Sequence, residues 1–256
     1  MALNPHPGAP ERHELPLHTP SALSLLAAGA IALIAWLAFA AQADITIGRL
    51  AARGFGVLDA LERMSSYLTN LTVLVCAICF SCIALRPPTP IARFFRAPPV
   101  ATAIVVYMVF VGLAYNLLLR GLWTPHGYRS LVNESLHTVL PVLCALYWLL
   151  FVPRFHLTLR QCLLWLVYPL AYVLVTMLRG ALSDFYPYPF IDVLELGYAR
   201  VLLNEALLVG AFIGLAALFV AINHRRPRRP LHEPHEAHER DDPARTHRQA
   251  ADREPQ

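Results

Sequence analysis

Six continuously apolar stretches organise the chain, at about residues 22–43, 64–85, 99–119, 131–152, 159–178 and 201–222. Each holds the ~20 predominantly apolar residues that a helix needs to cross a bilayer. The runs do not alternate between apolar and polar residues, as strands of a membrane barrel would, so the pattern predicts helices. No internal repeat is evident. The expected fold is all-α: a polytopic membrane protein built as one bundle of six transmembrane helices.

Composition agrees with that pattern. Of 256 residues, 57% belong to the hydrophobic set and only 15% are charged, against roughly 25% charged in a soluble domain. Mean hydropathy is +0.48. No single soluble core could hide so much apolar surface, which excludes a soluble enzyme. The net charge is +4, carried by 21 arginines and no lysine. Eight of those arginines follow Ile222, so the basic balance describes a tail and does not predict a nucleic-acid partner. The expected partners are membrane lipids and a lipid-like substrate.

Three regions are expected: a Pro-rich leader at 1–21, the membrane domain at 22–222, and an Arg/His-rich tail at 223–256 with the composition of a disordered segment. Ala41-Gln42-Ala43 has the small-x-small form of a cleavage site. The apolar run before it is longer than the ~7–15 residues of a signal core, so a retained helix is expected. Six spans put both termini on one side. That side carries 14 arginines against 7 on the other, and the positive-inside rule makes it the cytoplasmic side of the cell (plasma or inner) membrane.

Polar side chains inside spans are costly and mark sites. Thr69 and Asn70 open the second span, Asn116 lies near the end of the third, and His137 and Thr138 near the start of the fourth. Arg179 closes the fifth span, and Asn204 and Glu205 open the sixth. Starts of even spans and ends of odd spans meet at one membrane face. Thr69, His137 and Glu205 fall at a matched depth of ~6–9 Å, which predicts a polar pocket open to the outer leaflet. His137 is the one histidine well inside a span, and Pro141 four residues later strips its carbonyl of a helical hydrogen bond. Glu134, three residues before it, is placed to orient the imidazole. Cys76, Cys79, Cys82, Cys144 and Cys162 all lie in apolar runs and read as small buried hydrophobes. His232, His235 and His238 sit in the tail, where no preorganised metal site is expected. Neither a metal nor another cofactor is predicted.

Tyr67-Leu68-Thr69-Asn70, Asn133-Glu134-Ser135-Leu136-His137-Thr138-Val139-Leu140-Pro141 and Tyr186-Pro187-Tyr188-Pro189-Phe190 resemble motifs of a bacterial six-pass integral membrane protein family. That resemblance covers roughly residues 22–222. The family is similar, more distantly, to the eukaryotic androgen-induced and androgen-dependent TFPI-regulating (ADTRP) proteins. Members of the eukaryotic branch are membrane threonine hydrolases that cleave esters of hydroxy fatty acids. The resemblance implies Thr69 as nucleophile and His137 as base, with Asn70 standing where the eukaryotic branch has an aromatic residue. Activation of a threonine hydroxyl by neutral imidazole is coherent chemistry, and Asn70 or Asn204 could donate to an oxyanion. Two other functions fit the same polar cluster: a proton or small-ion transporter lined by Glu205, His137 and Arg179, and a non-catalytic lipid-binding protein.

Overall fold

The computed structural model describes residues 20–226. The leader up to residue 19 and the tail from residue 227 onward, with His232, His235 and His238, lie outside the described residues. Helices account for the ordered elements, and no strand occurs among the described residues. Among the described residues six helices are long and apolar enough to cross a membrane, and the chain is an all-α polytopic bundle.

The first span is α1 (Ala22–Ala51). Ser21 caps it, its hydroxyl accepting from the Ser24 N–H at 3.2 Å. A short amphipathic helix follows, α2 (Val57–Ser65), started by the Asp59 carboxylate on the Gly56 N–H. The second span is α3 (Leu68–Leu85) and packs along α1. The small residues Ala28, Ala32 and Ala35 of α1 are all buried, and they let the two backbones approach closely, as membrane helices do in the absence of a hydrophobic drive. A short α4 (Pro90–Arg96) leads into α5 (Pro98–Ala114), which continues through a π-turn (Tyr115–Leu119) and a 3-10 turn (Arg120–Leu122) as the third span.

The fourth span is built in three pieces: α6 (Tyr128–Glu134), a π-turn (Ser135–Val139) and α7 (Leu140–Phe151). The bend has an identifiable cause. Pro141 cannot donate to the His137 carbonyl, and the Asn116 side-chain amide of the third span donates to that oxygen at 3.0 Å instead. Gly112 makes this close approach feasible, because a Cβ there would lie 2.8 Å from Pro141 Cγ and 3.0 Å from the same His137 carbonyl.

After α8 (Leu159–Leu163) and a 3-10 turn, α9 (Val167–Ser183) completes the fifth span. The loop at 184–192 folds back over the bundle end. The Tyr186 ring occupies the space beside Gly180, where a Cβ would come within 2.1 Å of it. Asn204 donates to the Phe190 carbonyl at 2.8 Å and ties the loop to the last helix.

That helix, α10 (Val193–Arg225), is longer than the apolar pattern predicts at both ends. It starts eight residues before Val201, because Asp192 accepts from the N–H groups of Leu194 and Glu195. The chain breaks stride at Gly197, whose φ of 69° is open to glycine at little cost. At the other end the helix runs into the segment expected to be tail, since Asn223 is fully buried and donates to the Phe155 carbonyl. The flanks of α9 and α10 expose large aliphatic side chains such as Leu174, Leu182 and Leu207, the surface expected of lipid-facing spans.

Candidate functional site

At one end of the bundle the first turn of α3 meets the bend of the fourth span. Thr69 is buried, and its Oγ1 lies 3.3 Å from His137 Nε2. The tautomer follows from the partner of the other ring nitrogen. His137 Nδ1 is 3.0 Å from the Asn133 carbonyl; a carbonyl oxygen only accepts, so Nδ1 carries the proton. In the neutral ring Nε2 is then the acceptor, and the Thr69 hydroxyl donates to it. Tyr115 stacks on the imidazole at 3.8 Å between centroids, and its hydroxyl accepts from the Asn133 amide at 2.8 Å. Ring plane and ring rotation are both fixed before any ligand arrives.

Glu134 does not orient the imidazole. Its Oε2 accepts from Arg120 and from Thr138, at 2.7 Å each, while Arg120 Nε donates to Asn116 Oδ1 at 2.7 Å. Glu134, Thr138, Asn116 and Arg120 thus form a clamp that joins the third and fourth spans across the bend. The orienting acceptor is a main-chain carbonyl, that of Asn133.

The remaining polar residues divide in the same way. Asn70 is buried and donates to the Met64 carbonyl at 3.0 Å, yet it still lines the cavity that holds Thr69 and His137. Asn204 does not line that cavity and serves the loop at 184–192. Arg179 pairs with Glu62 at 2.7 Å and fastens α2 to the fifth span. Glu205 faces a separate small apolar pocket of about 80 Å³, beyond Thr69, with Phe110, Tyr172 and Phe212. Thr69 and Tyr188 belong to both spaces. The structure therefore brings together Thr69, Asn70 and His137, and sets Glu205 on the far side of Thr69.

Three neighbours come from places that give no pocket signal in sequence. Tyr115 and Asn133 lie on the two spans that hold the imidazole, and Tyr188 lies on the loop. The Tyr188 hydroxyl accepts from the Leu68 N–H at 3.1 Å and sits among Thr69 and the Tyr172 hydroxyl. Tyr172 in turn donates to the Ser66 carbonyl at 2.8 Å. Burial pushes the Tyr188 phenol up to about 12, with Thr69 and Leu68 hydrogen bonds acting against the rise. It is a neutral phenol at physiological pH. The only advance sign of Tyr188 is its place within Tyr-Pro-Tyr-Pro-Phe.

The cavity shared by Thr69 and His137 has a volume of about 590 Å³ and is partly open. It lies between the ends of α1 and α2, the start of the fourth span and the loop at 184–192. The described residues contain no group of three or more His, Cys, Asp or Glu placed to hold a metal ion. Cys76 and Cys144 face each other within the bundle, Sγ to Sγ 3.6 Å, away from this cavity. Comparison with known proteins adds no relative: no family model matches the chain, and no curated protein or solved structure matches it either.

Proposed function

We propose that this chain is an intramembrane lipid-ester hydrolase with Thr69 as nucleophile and His137 as general base. The observation that carries the reading is the 3.3 Å Thr69–His137 pair with the imidazole held in the acceptor tautomer by Asn133. A hydroxyl on such a base is an activated nucleophile. The resemblance to the six-pass family and to the threonine hydrolases of the eukaryotic branch supports the same two roles.

In this reading Thr69 Oγ attacks the ester carbonyl carbon as its proton moves to His137 Nε2. The oxyanion forms near the first turn of α3, where the helix dipole favours negative charge. The Tyr188 phenol, on whose oxygen the Leu68 and Thr69 N–H groups converge, is the donor assigned to it. Collapse breaks the carbon–oxygen bond to the alcohol, which leaves with the proton from His137. Water, deprotonated by the same nitrogen, then cleaves the acyl-threonine to release the acid and restore the hydroxyl. The small apolar pocket beyond Thr69 suits an acyl chain.

The test is labelling by a fluorophosphonate probe together with hydrolysis of an ester panel of graded acyl length. Thr69→Ala and His137→Ala should each lower both readouts at least ~100-fold, and the double variant should be little worse, because nucleophile and base act as one unit. Thr69→Ser should retain partial activity. Normal labelling in His137→Ala would overturn the assignment. A transporter predicts the opposite ranking, with Glu205→Gln the most damaging change and Thr69→Ala mild.

The proposed orientation places both termini on the cytoplasmic side of the cell (plasma or inner) membrane, from the arginine asymmetry. The cavity then opens to the outer leaflet. Reporter fusions after Gln256 and within residues 123–127 should report opposite compartments. The same compartment for both would exclude the six-span topology, and a Gln256 on the non-cytoplasmic side would invert it.

A further inference from the structure

The Thr69–His137 cavity is lined by four arginines, Arg49, Arg53, Arg63 and Arg129, and by no Asp or Glu. They come from separate elements: the end of α1 and the turn after it, α2, and the first turn of α6. The fold gathers them; sequence spacing does not. Two other arginines at this face are treated differently. Arg120 and Arg179 each have a carboxylate at 2.7 Å, and these are the two ion pairs among the described residues. Asp44 lines an adjoining outer groove with Arg49, Arg53 and Arg129 without pairing with any of them. Arg63 places its guanidinium carbon over the Phe185 ring, 3.6 Å from the centroid, and Phe185 lines the same cavity.

Four like charges with no carboxylate paired to any of them repel one another, and a bound anion removes that repulsion. The guanidinium fork matches a phosphate with paired hydrogen bonds. Depth points to a phosphate at headgroup level: the apolar run of α1 ends at Ala43, and Arg49 lies six residues further, about 9 Å along the axis. Inward from the rim, Arg129 and His137 are eight residues apart on one span, roughly 12 Å, part of which the arginine side chain bridges.

We propose that this cavity binds a phosphate-bearing lipid, its phosphate on the four arginines and its ester carbonyl directed toward Thr69. The proposal names the substrate class for the hydrolase reading above and rests on that reading only for the fate of the ester. Binding is measured separately from turnover.

The experiment uses the full chain in uncharged detergent micelles, following the fluorescence of Trp123, which lines the cavity; Trp123→Phe identifies its signal. Dioctanoyl phosphatidic acid should give saturable binding, at least ~10-fold tighter than dioctanoylglycerol of the same chains. Arg63→Gln and Arg129→Gln should each weaken it by a similar factor, and Arg200→Gln, on exposed α10 surface outside the lining, should not. Thr69→Ala and His137→Ala should bind as the wild type does, so loss of hydrolysis leaves this result standing. Equal binding of the uncharged diacylglycerol, a comparison that needs no variant, overturns the proposal. So does inorganic phosphate displacing the signal as tightly as the lipid, which would make the rim a free-phosphate site.

Discussion

At the scale of single residues, the site depends on which hydrogen-bonding partner each polar group finds. His137 owes its tautomer to a backbone oxygen, and Thr69 owes its acceptor to that tautomer. Tyr188 completes the set from a loop. Its raised phenol has a consequence for stability. The folded state holds the proton up to about 12, whereas an unfolded tyrosine releases it near ~10. Ionisation in that interval therefore favours the unfolded chain, so the stabilising share is complete below pH ~10 and is lost as pH rises toward 12. Thermal unfolding followed from pH 9 to 12 should show this decline, and Tyr188→Phe should flatten it. An unchanged alkaline limb would place the Tyr188 hydroxyl in contact with water. Thr69 and His137 are legible from sequence because a polar group in an apolar run is conspicuous. Their helpers are not. Glu134 three residues from His137 looks like its partner, yet hydrogen-bond reach on the folded surface favours Arg120, a residue that sequence assigns only to a loop.

At the scale of elements, the bend of the fourth span is the device that aims the imidazole. Proline removes one donor, the π-turns of the third and fourth spans re-aim their side chains, and Asn116 restores the missing hydrogen bond from across the helix interface. Asn116→Ala leaves the His137 carbonyl without that donor. It should cost about 1–3 kcal/mol, the usual penalty for a buried unsatisfied group, read as a lowered midpoint in thermal unfolding in micelles. It should also reduce probe labelling, with Thr69 itself intact. A variant of wild-type stability would mean that water or a shifted backbone serves that oxygen. Sequence carries the kink, since Pro141 is visible, but not its repair, because nothing in an apolar run says which neighbouring helix faces it. Span lengths show the same division. The cores of all six spans follow from apolar content, whereas α10 begins early because Asp192 caps it and Gly197 tolerates the break.

At the scale of the whole molecule, helix lengths and lipid dimensions have to agree. The apolar part of α1, residues 22–43, rises about 33 Å, close to the ~30 Å of a hydrocarbon core. The eight residues that follow within the helix, to Ala51, add about 12 Å of rise and carry Arg49 at the wall of the cavity. This extension gives the molecule a built-in depth gauge. In a thicker bilayer the first span is too short for the hydrocarbon, and mismatch is relieved by thinning the lipid locally or drawing polar flanks toward the acyl region. A cysteine substituted for Arg53 should therefore react with a water-soluble maleimide more slowly as host lipids lengthen from 14 to 22 carbons, by a factor of about two or more. An Arg200→Cys site away from the cavity serves as reference. Constant relative rates would show that the cavity mouth stands clear of the bilayer. A graded decline would mean that membrane thickness, a property of the host rather than of the chain, sets how readily the mouth is wetted.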